Sequence, residues 1–466
     1  MQNNNIPSHL SQEIIERYNV PVPRYTSYPP ANLFTTDYTH ERYIEDISYS
    51  NTHGASDLSF YIHIPFCKKI CSYCACNKEL FPQEKDGIAL YIDYVLKEFD
   101  LLIPHILKDR KISQIHFGGG SPTAIPLHYI EKILTRIISS FELKEDAEIA
   151  IECHPGYLKE EDWDYLLDLP FTRYSLGVQD FKEDVLKAVK RTPSKLPIAK
   201  IVDKIHTHHK RVNLDLIYGL PHQTPASFAE SMQLAVKCNP DRLVTFSYAH
   251  VPWIYSVQKE LEDLGLPEMS DKKSMHEAAT QIAIQSGYEV IGLDHFVRPD
   301  DPLAIALREH TLHRNFQGYC TRAISGQVFA LGTTGISQLD NSYAQNIKSI
   351  PEYYEAIDKG VLPTNIGYRL SDDERLARDI INDLMCNYRT SPLKIAKQHG
   401  KDYSKLSDIS LLRYNELLRM INDGLCRIEA DAVIMNSSAH LFVRTIAATF
   451  DIHYNPHKPL GYSKPI

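Results

Sequence analysis

Four cysteines crowd into the short run Phe66-Cys67-Lys68-Lys69-Ile70-Cys71-Ser72-Tyr73-Cys74-Ala75-Cys76-Asn77. The first three are spaced C-x3-C-x2-C, directly after a strand-like run. Zinc sites usually take two cysteine or histidine pairs separated by a dozen or more residues. Spacing this compact instead lets three thiolates hold three irons of one [4Fe–4S] cubane. The fourth iron then lacks a protein ligand and can bind the amine and carboxylate of a small molecule. Cys67, Cys71 and Cys74 are the expected metal ligands. Cys76, two positions beyond Cys74, does not easily point at the same cubane face and is read as a non-ligand. Cys153, Cys238, Cys320, Cys386 and Cys426 are scattered and read as core or surface thiols. A tight cluster of this kind points to metal or redox chemistry rather than a disulfide framework.

Elements around the cysteines must position them. SFYIHIPF (59–66), SQIHFGG (113–119), AEIAIEC (147–153), RYSLGVQ (173–179), VNLDLIYG (212–219) and RLVTFSYAH (242–250) are rich in β-branched and aromatic residues and predict strands. Helical runs lie between them. Over Pro126–Phe141 the apolar residues follow an i, i+3, i+4, i+7 stripe, with Pro126 at the first turn. Thr224-Pro225 opens another helix as cap and N1 proline. Six strand–helix repeats imply right-handed βαβ units and a parallel sheet. Six is short of an eightfold barrel, so the fold class is α/β with a partial (β/α)6 TIM-like barrel. Ligands of such sheets bind where strands end and loops begin. Gly118–Gly120, Glu152, Gln179, Asp215 and Ala249-His250 all end strands and would face one mouth.

At 466 residues the chain exceeds one hydrophobic core. Residues 1–55 read as an N-terminal extension, in which prolines hold PVPRYTSYPP (Pro21–Pro30) extended. The barrel and its additions take 56–370. Residues 371–466 read as a smaller, mainly helical, winged-helix-like domain: helices at Ser371–Asn387 and Ser410–Asp423, a hairpin around Leu425–Met435, and a helix at Ala439–Phe450. Fifty basic and 59 acidic residues, well interspersed, give a net charge of −9 and no basic stripe, which argues against a nucleic-acid partner. The N-terminus has no charged-then-apolar signal pattern, and no apolar run is long enough to span a bilayer. A cytoplasmic protein without a membrane partner is expected.

C-x3-C-x2-C after the first strand of a partial barrel is the motif of the radical S-adenosylmethionine (SAM) superfamily. YIHIPFC, the additional Cys76, HFGGGSPT, LGVQDF, DLIYGLPHQTP, DHFVRPDD, LHRNFQGY and the N-terminal PRYTSYP together resemble the oxygen-independent coproporphyrinogen III oxidase family, from about Tyr18 to about Phe450. Related haem-chaperone-like proteins share the core blocks but lack the extra cysteine and PRYTSYP. The resemblance implies a radical SAM barrel, one [4Fe–4S] cluster, and reductive cleavage of SAM to a 5′-deoxyadenosyl radical. It implies oxidative decarboxylation of two propionates of coproporphyrinogen III to vinyl groups, giving protoporphyrinogen IX. Competing readings are a radical SAM haem-binding or haem-transfer protein without decarboxylation, and a radical SAM enzyme acting on another tetrapyrrole.

By the same resemblance Tyr61, Gly119 and Glu152 contact a first SAM, with Ile336 alongside its adenosine. A second SAM is implied at Tyr73, Gly120, Ser121, Gln179, Arg191, Asp215 and Ala249, with Gln317 as a further wall. The residues themselves agree in part. A glycine run after a strand lets the backbone approach a ligand closely. A carboxylate such as Glu152 suits a ribose hydroxyl or an ammonium. Arg191, in VKRTP, reads equally as a solvated helix-end arginine. Arginines should meet the substrate's carboxylates, with Arg24 and Arg314 as candidates and Arg298 as a weaker one. Lone histidines, His206–His209 among them, are set aside. Lys68, Lys69 and Lys78 flank the cysteine loop and could steer an acidic flavodoxin or ferredoxin as electron donor. A monomer is expected. Three residues depart from the family pattern: Ala75 for glycine, Ser121 for threonine and His154 for aspartate. Ala75 would be strained if its position needs a positive φ.

Overall fold

A computed structural model gives the structure over residues 10–321 and 327–456. The outer ends of the expected N-terminal and C-terminal segments (1–9 and 457–466), together with 322–326, lie outside the described residues. All six expected strands form: β1 Leu58–Ile64, β2 Ile112–Gly119, β3 Leu143–Cys153, β4 Arg173–Gln179, β5 Arg211–Tyr218 and β6 Arg242–Ser247. They pair in that order, all parallel.

The sheet runs further than six strands. Past β6 come β7 Glu289–Ile291 and β8 His295–Val297, with β8 antiparallel to both β6 and β7. A hairpin, β9 Leu312–Asn315 and β10 Gly318–Thr321, stands apart as its own two-stranded sheet. Then β11 Gln327–Leu331 returns to lie parallel beside β1, a seventh parallel strand. Antiparallel strands β12 Ile336–Gln338, β13 Ser342–Asn346 and β14 Thr364–Arg369 complete a twelve-stranded sheet.

Alternation along the strands puts one set of side chains on the inner face. From wing to wing, register sets His295, Val244, Asp215 and Gly177 in one row, and Tyr61, Ala330, Gln338 and Tyr343 on the same face beyond. The hairpin bridges the two wings. Its Tyr319 meets His295 of β8 at 5.2 Å between ring centroids, and its Phe316 meets Tyr343 of β13 at 5.5 Å. A polar layer fills the interior at the strands' N-terminal ends. There Arg173 donates to Glu148 (2.8 Å) and Asn213 (3.0 Å), while Arg242 forks onto Asp301 (2.8 and 2.9 Å). Burial works to raise Glu148, but Arg173 and Arg242 outweigh it and hold that carboxyl down at about 2.

Helices cover the outer face. The apolar stripe expected over Pro126–Phe141 forms a helix at Leu127–Ile138 with Pro126 as its cap. It stops where the Ser139 and Ser140 hydroxyls bond back to the Arg136 carbonyl. Thr224 caps the helix Pro225–Lys237 through a reciprocal bond pair with Ser227.

A second apolar cluster gathers residues from the helix Asp372–Asn387 to Phe450. Three short strands, Arg389–Thr390, Cys426–Glu429 and Ala432–Met435, make its small sheet, so the expected hairpin gains a third strand. Two helix expectations need correction. Ser410–Asp423 is helical only over Tyr414–Asn422, because Arg413 is tied to the far segment: its N–H bonds the Thr449 carbonyl and its guanidinium the Asp451 and Tyr454 carbonyls. Ala439–Phe450 is broken into a 3-10 turn, one short α-helix at Val443–Ala447, and another 3-10 turn. Tyr18, Val22, Tyr25 and Tyr28 pack into this same cluster. Pro21–Pro30 is accordingly bent rather than extended, with Tyr25 at φ +51° and a cis Tyr28–Pro29 bond.

Candidate active site

The cysteine loop leaves the C-terminal end of β1 and is pinned at its base, where the Glu79 N–H donates to the Pro65 carbonyl at 2.9 Å. Gly120 lies against this base. A Cβ there would fall 2.2 Å from the Pro65 oxygen and 3.1 Å from Cys67 Sγ, so only glycine lets the strand end meet the loop. Cys67 and Cys71 are buried, Cys74 is half-buried and Cys76 is exposed. Ala75 is not among the residues with positive φ, so alanine carries no strain there.

Among the described residues no three His, Cys, Asp or Glu side chains converge on a single-ion site. A cubane needs a different arrangement, with each thiol at its own corner. Burial, then the charges of Cys74 and Cys71, push the Cys67 thiol up to about 12. A hydrogen bond from Cys76 outweighs burial and holds Cys74 down. A metal bound to Cys67 would offset the burial that works against its thiolate. The donor set fits a cluster.

Two other segments clasp the loop. The Ser72 N–H donates to the Val189 carbonyl at 3.0 Å, and its hydroxyl donates to Glu260, which also pairs with Lys190. Fully buried Gln258 donates to the carbonyls of Tyr73 (3.1 Å) and Ala249 (3.3 Å) and accepts from the Val251 N–H (2.7 Å). Tyr73 and Ala249, far apart in sequence, are thereby held to one side chain. Lys78 spends its ammonium on the carbonyls of Cys74 and Cys76 and lies 5.4 Å over the Tyr255 ring. Lys68 lies 5.2 Å over the Tyr157 ring.

On the other side of the loop runs a chain of contacts that sequence reasoning missed. His63 Nε2 donates to the Asn77 carbonyl (3.1 Å) and its Nδ1 accepts from the Tyr61 hydroxyl (3.2 Å). Burial drives this imidazole down to about 4, so it is neutral and both nitrogens are used. The Tyr61 ring stacks on His116, whose Nε2 sits 3.1 Å from Glu152 Oε1. A Cβ on Gly118 would strike Glu152 Oε1 at 2.6 Å and Tyr61 at 3.0 Å. Tyr61, the glycine turn and Glu152 are therefore one group. Glu152 itself opens to the cavity, with 43% of its side chain exposed, rather than being buried with its strand. Gly119 adopts φ +118°, and a Cβ there would fall 2.8 Å from the His63 ring.

Gln179 ends β4 at φ +70°, where register slips between Gly177 and Gln179. Arg191 reaches the same spot: its guanidinium donates to the Gly177 carbonyl and lies 3.8 Å from Cys71 Sγ. It is not a solvated helix-end residue. Asp215, opposite Gly177, accepts from the Ser175 hydroxyl at 2.7 Å, and burial raises it to about 6.

Four of the expected ligand residues carry buried polar atoms without a protein partner: Ser121 Oγ, Gln179 Oε1, Gln317 Oε1 and Arg314 Nε. A buried polar atom of this kind calls for a partner beyond the protein's own hydrogen bonds, such as water or a ligand. Ile336 stands on β12, two residues before Gln338 and on the same inner face. Arg314 lines a small cavity with Tyr25, Ser27, Gln338 and Arg378. Two arginine expectations fare less well. Arg24 is exposed while its neighbours line that cavity. Arg298 sits at the opposite end of the barrel, 4.1 Å over Tyr288 and bonded to the Ser286 carbonyl, because β8 runs antiparallel and carries it away from the mouth.

The family model described as Radical SAM superfamily matches residues 61–235. The chain is 37% identical, over 98% of both lengths, to a Synechocystis protein named oxygen-independent coproporphyrinogen III oxidase. It is 35% identical to the Escherichia coli protein of the same name, over 94% of each. A solved structure of the Escherichia coli coproporphyrinogen III oxidase, described as a radical SAM enzyme, superposes with a TM-score of 0.85 at 34% identity, covering 92% of this chain and 98% of that one.

Proposed function

The chain belongs to the oxygen-independent coproporphyrinogen III oxidase family of radical SAM enzymes, and from that we propose that it decarboxylates two propionates of coproporphyrinogen III to vinyl groups, giving protoporphyrinogen IX. What carries this reading is the reach of the similarity, which spans the cysteine loop, the barrel, the bridging hairpin and the C-terminal segment alike. Cys67, Cys71 and Cys74 would hold one [4Fe–4S] cluster. Bound there, the cluster and SAM would supply the radical chemistry that removes a hydrogen atom from a propionate β-carbon, with CO2 leaving and an external acceptor taking the remaining electron.

The residues around them bind, orient and exclude water. Tyr61, Gly119, Glu152 and Ile336 would hold the first SAM, with His63 and His116 fixing Tyr61 and Glu152 in place. Tyr73, Gly120, Ser121, Gln179, Arg191, Asp215 and Ala249 would hold a second. The partnerless Ser121 and Gln179 oxygens, with Asp215, favour a polar, amine-bearing ligand. Gln317 would add a further wall to that second site, Arg314 would face the tetrapyrrole, and Cys76 would leave the iron to the other three cysteines. An acidic electron donor such as flavodoxin or ferredoxin would dock near Lys69, the lysine of the three without a ring or carbonyl contact among the described residues. We read the enzyme as a cytoplasmic monomer; no described helix is long and apolar enough to cross a membrane.

Anaerobic incubation of the reconstituted protein with SAM, dithionite and coproporphyrinogen III tests the reading. Protoporphyrinogen IX should form with methionine and 5′-deoxyadenosine, and Cys71→Ser should abolish all three. Wild-type protein that cleaves SAM yet leaves coproporphyrinogen III intact would overturn it.

A further inference from the structure

One wall of the cavity holds a histidine–aspartate pair, His295 and Asp294, that the functions above leave unused. His295 of β8 is in register with Val244 of β6, and Val244 with Asp215 of β5, so the imidazole faces inward in the row that holds Asp215. Its Nδ1 lies 2.6 Å from Asp294 Oδ1. A carboxylate on Nδ1 keeps the proton on that nitrogen and fixes the ring, leaving Nε2 to face the other way. The ring is also wedged edge-on between Phe246 (6.4 Å) and Tyr319 (5.2 Å).

Among the described residues His295 Nε2 has no partner, although the side chain keeps 16% exposure. Nε2 is therefore the ring nitrogen with a hydrogen bond still to make toward the cavity, whereas His63 spends both of its nitrogens on Tyr61 and Asn77.

The neighbouring group is Arg314. It stands directly across the hairpin from Tyr319, with its guanidinium 4.9 Å over that ring. Arg314 Nε is buried without a partner, while the rest of the guanidinium bonds Tyr319 and is attracted by Asp294. Burial works to raise the Asp294 carboxyl, but attraction from His295, the hydrogen bond to it, and then Arg314 and His276 outweigh burial and keep it ionised. The wall thus holds the Asp294 carboxylate with the imidazole bonded to it, Arg314 across the Tyr319 ring, and Asp215 further along the same row.

We propose that His295, oriented by Asp294, is a binding residue for a propionate carboxylate of the tetrapyrrole, acting beside Arg314 with the Tyr319 ring between them. The proposal rests on the coproporphyrinogen reading, since that substrate brings four carboxylates to an otherwise uncommitted surface.

Steady-state turnover of coproporphyrinogen III by the holoenzyme tests it, with iron and sulfide content as the measure of an intact fold. His295→Phe should raise KM roughly 10- to 100-fold, the loss of one charge-assisted hydrogen bond. His295→Gln keeps an N–H donor without the charge and should fall between Phe and wild type. His295→Arg should recover KM. If the Phe variant does not hold its cluster, the Gln and Arg pair decides alone. A KM unchanged in His295→Gln, or a fall in kcat with KM unchanged, would overturn the assignment. Failure of the wild-type enzyme to convert coproporphyrinogen III would instead bring down the function on which it rests.

Discussion

At the scale of single residues, the cysteines were legible because their spacing alone limits what they can hold, whereas the histidines were not. His63, His116 and His295 each sit alone in a strand pattern, and nothing local separates an inward-facing histidine from a core one. Register across strands that are distant in sequence makes the difference. His154 departs from the family pattern yet is accommodated locally through Nδ1. Where an aspartate is usual, the buried imidazole accepts from the Gly156 N–H at 3.1 Å and stacks on Tyr157, and burial drives it down to about 2, so it stays neutral. Gln179 is the residue whose backbone argues most for a ligand. A non-glycine at φ +70° costs about 1 kcal/mol or more, and its Oε1 is buried without a partner. Both costs are recovered only if something accepts the side chain's orientation. Gln179→Ala and Gln179→Gly should each keep the cluster yet bind about one SAM per cluster instead of two, measured by anaerobic equilibrium dialysis. The glycine variant should unfold at higher denaturant than the alanine one, by roughly 1 kcal/mol, since glycine alone is unstrained there. A Gln179→Ala protein retaining wild-type stoichiometry would dissociate this residue from the second site.

At the scale of elements, the six parallel strands were readable because each is a compact β-branched or aromatic run. The hairpin and the wing strands were not, because they are only three to six residues long. Their place comes from side chains they meet elsewhere in the chain. The turn after β11 is an instance. It is held by Glu98 of the helix Gly87–Leu102, whose carboxylate accepts from the Gly332 N–H (2.7 Å), the Tyr353 hydroxyl (2.5 Å) and the Asn346 amide (2.6 Å). Burial raises Glu98 to about 7, the three donors pulling the other way. A carboxyl higher in the folded state than in the unfolded chain binds more protons when folded. Its contribution is therefore greatest below the unfolded value, near 4.5, and is lost as pH rises to about 7. Stability should fall across that window by up to about 3 kcal/mol from this group and then level off. Glu98→Gln should flatten the slope in urea unfolding followed under nitrogen at a series of pH values. An equally steep slope in the variant would assign the dependence to other groups.

At the scale of the whole molecule, the segment that carries PRYTSYP and the segment that closes the chain are built on one apolar cluster. Bonds cross between them at several points. The Tyr18 hydroxyl donates to Asp423 (2.7 Å), the Thr445 hydroxyl to the Tyr18 carbonyl (3.3 Å), and the Ile452 N–H to the Tyr28 hydroxyl (3.1 Å). Tyr343 of β13 in turn donates to the Tyr28 carbonyl (2.9 Å), joining this cluster to the large sheet beside the cavity that Arg314 lines. A short proline-rich run gives no local sign of such a tie, since its partners lie more than 300 residues away. The junction depends most on Asp451, which is 1% exposed. Its Oδ1 accepts from the N–H groups of His453 (2.8 Å) and Tyr454 (3.1 Å), and its Oδ2 from the buried Tyr25 hydroxyl (2.9 Å). Tyr25→Phe keeps the ring and removes only that donor, leaving half of a buried carboxylate unpaired. A hydrogen bond to a charged group is worth about 1.5–3 kcal/mol, so the variant should be destabilised by that amount in denaturant unfolding. The double variant Tyr25→Phe/Asp451→Asn should lose less than the sum of the two single losses, because both remove the same bond. Strict additivity of the two would place Tyr25 outside the tie between the chain's ends.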